Sequence, residues 1–199
     1  MKLLMGTRNP GKAKEISALL GNLNFAFLTL NDFPDAPEVD ESGSTYEDNA
    51  ILKAVGYARH CGVLTLADDS GLEVNALNGG PGVLSARYAG EGASDGDRVN
   101  LLLAQLANIS DVDRRARFVS VVALAHPANG IMRTETGICE GSIIASPRGT
   151  NGFGYDPIFV PDGFENTFGE LPSSIKDKIS HRAKALMAMA SFLNNSTRS

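Results

Sequence analysis

The sequence predicts an α/β fold built on a mixed parallel and antiparallel sheet flanked by helices. Three patterns predict it. Short apolar, strand-like runs alternate with apolar stripes at helical spacing along the chain. Cap-like and stop residues mark the ends of those stripes. Two long extended segments late in the chain are joined only by Pro127-Ala128-Asn129-Gly130, a connection too short for a parallel crossover.

The elements follow in order. Leu3 to Gly6 reads as a strand. Ala13, Ile16, Leu19 and Leu20 then share one helical face, with Pro10 suited to the first turn and Gly21 to the end. Phe25 to Leu30 is a second strand, and Asn31 to Gly43 is a loop rich in Asp, Glu and Pro. Thr45-Tyr46-Glu47-Asp48 resembles a capping box. It opens a helix whose buried face is Ala50, Ile51, Ala54, Val55 and Ala58, and Gly62 closes it. The strand Val63 to Ala67 runs directly into Asp68-Asp69-Ser70-Gly71. Ser94 and Asp97 open a helix carrying Val99, Leu102, Leu103 and Leu106. Arg117 to Leu124 reads as a strand covered on both faces, and Ile131 to Ile144 as its partner. A glycine-rich loop, Gly149 to Gly154, precedes the last helix, which carries Leu186, Met189, Ala190 and Leu193.

Composition narrows the function. With 18 Lys+Arg against 23 Asp+Glu the formal net charge is -5, which argues against coating a nucleic-acid backbone. The 2 cysteines, Cys61 and Cys139, make no disulfide framework, and a reducing, cytoplasmic setting is expected. No apolar run approaches the ~18 residues of a membrane span. No signal peptide is expected either, because Gly6 and Thr7-Arg8-Asn9 end the run after Lys2 at once.

Four segments could carry chemistry. The first is Gly6-Thr7-Arg8-Asn9-Pro10-Gly11-Lys12, between a strand and a helix. Free N–H groups at a helix start, the helix dipole and the Lys12 charge would favour a phosphate; the plainer reading is a turn capped by Asn9. The segment also fits most of a P-loop, but Ala13 stands where that motif needs a hydroxyl for magnesium, and Pro10 lacks an N–H. The second is the pair Asp68 and Asp69. Adjacent carboxylates repel unless a cation is near, and Mg²⁺ takes oxygen ligands; Glu38, Asp40 or Glu41 could complete the shell. The alternative is a surface turn. The third is Gly149-Thr150-Asn151-Gly152-Phe153-Gly154-Tyr155-Asp156-Pro157, where aromatic faces could stack a base or merely anchor a core. The fourth is Ser180-His181-Arg182, preceded by Lys176 and Lys178. Cations at a helix start need an anion to hold, unless they form a solvated basic face. His60 reads as a dipole partner at a helix end and His126 as a strand-end residue.

Six motifs occur in order: Thr7-x-Asn9-x-x-Lys12; Glu41-Ser42-Gly43 to Glu47-Asp48-Asn49-Ala50; Ala67-Asp68-Asp69-Ser70-Gly71-Leu72; Pro81-Gly82 through Ser85-Ala86-Arg87-Tyr88; Gly152 to Pro157; and Ser180-His181-Arg182. Together they resemble the inosine triphosphate pyrophosphatase (RdgB/HAM1-like) family, over nearly the whole chain. The resemblance implies an elongated mixed sheet of the Maf/HAM1 type in a single domain over residues 1–199, with two lobes and a nucleotide cleft between them. It implies a homodimer that uses Mg²⁺ to convert XTP, ITP and dITP to the monophosphate and pyrophosphate, with no nucleic-acid or membrane partner. By the same resemblance Thr7, Arg8, Asn9, Pro10, Gly11 and Lys12 bind the triphosphate, and Glu41 and Asp69 serve the metal. Asp69 also accepts the proton, with Asp68 beside it. Ser70, Phe153, Gly154, Tyr155, Asp156, Lys176, His181 and Arg182 hold the nucleotide. Two positions depart from the pattern: Arg8 stands where a small residue is common, and Asp48 where Glu is frequent, which weakens a metal role for that shorter carboxylate. The competing classes are a P-loop ATPase, a non-catalytic nucleotide sensor and a Maf-like pyrophosphatase acting on other nucleotides.

Overall fold

The computed structural model describes residues 1–110 and 113–196, Ser196 by its backbone alone. The six strands are β1 (Lys2–Met5), β2 (Ala26–Thr29), β3 (Thr65–Val74), β4 (Arg115–His126), β5 (Gly130–Ile143) and β6 (Phe159–Pro161). They form a sheet in the order β2-β1-β3-β4-β5-β6. The β1 strand lies parallel to both β2 and β3, pairing Leu4 with Leu28 and with Thr65. β5 and β6 are antiparallel, with Ser142 opposite Val160. Parallel and antiparallel pairs are therefore both present, as expected from the alternating patterns together with the short connection after the first long strand. The helices are α1 (Pro10–Leu20), α2 (Tyr46–Cys61), α3 (Asp95–Gln105), α4 (Ser173–Ile179) and α5 (His181–Ser196).

The chain divides into two compact units. One comprises Met1–Asp69, Ser120–Gly137 and His181–Ser199; the other comprises Ser70–Val119 and Ile138–Ser180. In the first unit Leu3, Met5, Ile16, Leu20, Leu66, Val122, Leu124, Leu186, Met189 and Leu193 form a core that packs α1 and α5 on the strands. Burying a Leu or Ile side chain of this kind contributes about 1.5–3 kcal/mol. Leu4, Leu30, Ala36 and Tyr57 form a smaller cluster, which roots the acidic loop through Ala36. In the second unit Leu72, Val74, Val99, Leu102, Phe118, Phe159 and Phe168 share a core. Its three phenylalanine rings pack together, with Phe118 and Phe159 centroids 4.6 Å apart.

The predicted helix starts are observed, and the side chains explain them. Asn9 accepts from the N–H groups of Gly11 and Lys12 at 2.9 and 3.1 Å, with Pro10 at the first position of α1. Thr45 with Asp48, and Ser94 with Asp97, form complete capping boxes on α2 and α3. Such caps contribute about 1 kcal/mol each. Gly62 ends α2 with φ 66°, a left-handed conformation that suits glycine.

Two expectations change, and one element is new. Asp68 and Asp69 do not end a strand: β3 continues through them for ten residues, to Val74. Aspartate disfavours strands by its own propensity, but both residues are buried against cations from other elements, described below, which overrides it. The segment carrying Lys176 is a separate helix, α4, rather than a lead-in to the last one. The short strand β6 was not foreseen; three residues carry too little periodicity to read.

Candidate active site

In the first unit the acid pair on β3 sits inside a buried charge cluster. Asp68 is 1% and Asp69 5% exposed, which removes the surface-turn reading. Asp68 Oδ2 lies 3.2 Å from Lys12 Nζ and accepts from Arg182 Nε at 3.1 Å. Arg182 also pairs with Glu15 of α1. Asp69 faces a different set: its Oδ1 accepts from Lys53 Nζ at 2.9 Å and its Oδ2 from Asn49 at 3.3 Å. Lys53 Nζ donates equally to Glu41 Oε1, at 2.9 Å. Four carboxylates (Asp68, Asp69, Glu41, Glu15) thus meet three cations (Lys12, Lys53, Arg182), all drawn from one unit.

These surroundings drive the two aspartates apart. Burial pushes the Asp68 carboxyl up, but the charges of Lys12, Arg182 and Lys53 outweigh it and hold it well below the usual range. For Asp69 burial wins over the attraction of Lys53, and its carboxyl is raised. A raised carboxyl is the better proton acceptor near neutral pH, and a lowered one a permanent anion. Burial lowers the Lys12 ammonium despite Asp68. For Lys53 burial acts downward, but Asp69, Asp68 and Glu41 outweigh it and raise the ammonium.

Local structure explains the placement. Asn49 and Lys53 lie one turn apart on the buried face of α2, among Tyr46, Ala50, Ala54 and Tyr57. Arg182 is carried by the first turn of α5, which Gly137 of β5 lets approach: a Cβ there would run into the His181 carbonyl and the Ala185 amide. His181 and Arg182 are 4% and 2% exposed, so the solvated-basic-face reading fails.

The Thr7–Lys12 turn is built differently from the expectation of free amides. The Gly11 and Lys12 N–H groups go to Asn9 Oδ1, the Ala13 N–H goes to the Asn9 carbonyl, and Pro10 has none. Asn9 is itself held by its N–H to Thr7 Oγ1 at 3.1 Å. Anion attraction at this turn therefore rests on Lys12, Arg8 and the helix dipole. Arg8 Nη2 donates to the Ala36 carbonyl at 2.7 Å and ties the turn to the acidic loop. Asp48 serves as the α2 capping carboxylate, accepting from Thr45 N–H at 3.2 Å. Glu38 and Asp40 are exposed.

The second unit holds the glycine-rich segment. Phe153 lies between Gly152 (φ 75°) and Gly154 (φ 61°), and its N–H donates to Asp156 Oδ2 at 2.9 Å. Asp156 is buried and pairs with Lys176 of α4. The Lys176 ammonium sits 4.8 Å from the Phe153 ring centroid. Tyr155 is buried and its hydroxyl donates to the Ser85 carbonyl at 3.0 Å, so it is a core anchor rather than a free face. Ser70, the first residue of this unit, is half-buried on β3.

Sequence reading missed Lys53, Asn49 and Glu15. A signal existed for the first two: a Lys and an Asn at i, i+4 inside an otherwise apolar stripe. Among the described residues no three carboxylate, histidine or thiol groups gather into a metal-holding group.

A strand-borne acid pair bracketed by two lysines and an arginine is the distinguishing feature of this α/β protein. The chain belongs to the Ham1 family, whose model matches residues 3–192. It is 50% identical over 186 residues to a dITP/XTP pyrophosphatase of Exiguobacterium sp., covering 94% of this chain and 93% of that protein. It is 46% identical over 194 residues to a dITP/XTP pyrophosphatase of Desulforamulus reducens, covering 98% and 96%. Its structure resembles a HAM1 protein from Coxiella burnetii with a TM-score of 0.88 at 40% identity, covering 98% of this chain and 99% of that one.

Proposed function

We propose that the protein hydrolyses non-standard purine nucleoside triphosphates (XTP, ITP and dITP) to the monophosphate and pyrophosphate, clearing them from the nucleotide pool. The observation that carries this is a pair of adjacent buried carboxylates on β3, Asp68 held by Lys12 and Arg182 and Asp69 by Lys53 and Asn49, in a chain that matches dITP/XTP pyrophosphatases over nearly its full length.

In this reading a water attacks the α-phosphorus. Its proton passes to Asp69, the bond from the α-phosphorus to the bridging oxygen breaks, and pyrophosphate leaves with that oxygen. Asp68 keeps Lys12 and Arg182 in place, and Lys12 steadies the departing pyrophosphate. Thr7, Arg8, Asn9, Pro10 and Gly11 form the turn that receives the triphosphate. Within the second unit Phe153 offers the base a face, with Gly154, Tyr155, Asp156 and Lys176 fixing its surroundings; the family resemblance adds Ser70, His181 and Arg182 as nucleotide-holding residues. Donors aimed at position 6 pair with the oxo group of hypoxanthine or xanthine and leave the adenine amino group badly paired; guanine shares that oxo group, so its rejection requires a clash or an unpaired donor at its 2-amino group.

The donor set suits Mg²⁺. Asp68 Oδ1 is buried with no hydrogen-bond partner among the described residues, and Asp69 and Glu41 add hard oxygens. Glu41 and Asp69 would hold the ion, which when bound neutralises phosphate charge. A homodimer and a cytoplasmic setting belong to the same proposal and rest on family resemblance; no helix among the described residues is long and apolar enough to cross a membrane.

The test is pyrophosphate release with Mg²⁺ from ITP, XTP, ATP, GTP and dTTP, with orthophosphate followed in parallel. Pyrophosphate from ITP and XTP, with little from ATP or GTP, is expected. Orthophosphate from ATP, or no turnover of any purine, would overturn the proposal.

A further inference from the structure

Phe153 is flanked by two successive amides, its own and that of Gly154, and each is held by a carboxylate. Asp156 takes the first at 2.9 Å. The second goes to Asp95, in the first turn of α3, whose Oδ2 accepts from Gly154 N–H at 2.7 Å across 59 residues of chain. Asp95 is braced in turn. Its Oδ1 pairs with Arg98, one turn along the same helix, and Arg98 Nη1 donates to the Ala86 and Ala93 carbonyls at 2.9 and 2.6 Å. Gly152 and Gly154 both adopt positive φ and neither carries a side chain, so no side chain of theirs braces the backbone on either side of Phe153. Helix placement of α3 does not depend on Asp95, because Ser94 and Asp97 make the capping box.

We propose that Asp95, braced by Arg98, is a positioning residue that fixes the plane of Phe153 and through it the affinity for the base. The inference rests on Phe153 being the surface that meets the base in the reaction proposed above. Asp95 touches no reacting atom, so its loss acts on nucleotide binding rather than on bond breaking.

Three variants test it: Asp95→Ala, Asp95→Asn and Asp97→Ala. Each is assayed for KM and kcat with dITP, for thermal midpoint, and for amide hydrogen exchange over residues 150–157. Asp95→Ala raises KM about three- to tenfold, the range expected for one lost hydrogen bond, with kcat within about twofold. It also speeds exchange over 150–157. Asp95→Asn, whose amide oxygen can still accept from Gly154, recovers most of the KM. Asp97→Ala removes the cap carboxylate from the same helix end; it lowers the thermal midpoint and leaves KM and the 150–157 exchange unchanged. An unchanged KM in Asp95→Ala, or an equal KM rise in Asp97→Ala, would overturn the proposal. If the wild-type chain released no pyrophosphate from dITP, the pyrophosphatase reading would fall separately. The exchange comparison would then decide alone: unchanged exchange in Asp95→Ala rejects the positioning role, and a rise confined to that variant retains it.

Discussion

Replacing Lys53 by Met removes a cation that Asp69 and Glu41 share. The ammonium lies 2.9 Å from both carboxylates and the residue is 8% exposed. A methionine side chain fills similar space, so the change isolates the charge. Breaking a buried pair from one side costs about 3–5 kcal/mol, because the remaining charge loses its compensation. The lower part of that range applies, since the Glu41 side chain is 33% exposed and water can screen it. In a domain of this size about 3 kcal/mol corresponds to roughly 6–12 °C in Tm. The same change acts on the chemistry. Lys53 is the leading influence that restrains the Asp69 carboxyl against burial, so without it that carboxyl rises further. The acid limb of the pH–rate profile then moves to higher pH, by about one unit for each 1.4 kcal/mol of lost attraction. Thermal melts at neutral pH and a pH profile of kcat for Lys53→Met and Lys53→Arg measure both effects. Arginine preserves the charge and keeps the acid limb near its original place. An acid limb that stayed fixed or moved to lower pH in Lys53→Met would refute the electrostatic account of Asp69.

Other perturbations follow from the same geometry. The folded Asp68 carboxyl is depressed, so its stabilising contribution is present above the unfolded value of ~3.9 and is lost as pH falls through the folded value. Asp68→Asn therefore flattens the acid side of the stability–pH curve, measured by urea melts between about pH 5 and 2; a curve of unchanged slope below about pH 4 contradicts this. Gly137→Ala drives a Cβ against the backbone of α5 at His181 and Ala185. It costs about 1–3 kcal/mol in a denaturant melt, as overpacking does, and displaces Arg182, so activity falls with stability.

Much of the fold is legible in the sequence because its signals are local. The caps at Asn9, Thr45 and Ser94 and the stop at Gly62 are short-range hydrogen-bond and backbone effects, and each stands where the pattern put it. The acid pair was recognisable as chemistry, but its position inside β3 was not. What keeps a charged pair within a buried strand is Lys12, Lys53 and Arg182, which lie up to 114 residues away in sequence. Lys53 escaped for the same reason. Within α2 it interrupts an apolar stripe, and only the fold brings Asp69 and Glu41 to it. At the Thr7–Lys12 turn the plainer reading stands, a helix start capped by Asn9, which takes the Gly11 and Lys12 amides.

The central claim is attack at the α-phosphorus with Asp69 as proton acceptor. The most direct test is hydrolysis of dITP in ¹⁸O-labelled water by the wild-type chain and by Asp69→Asn. The account predicts one labelled oxygen in the monophosphate, none in pyrophosphate, and loss of turnover in Asp69→Asn with nucleotide binding retained. Label in pyrophosphate or orthophosphate, or full turnover by Asp69→Asn, would contradict it.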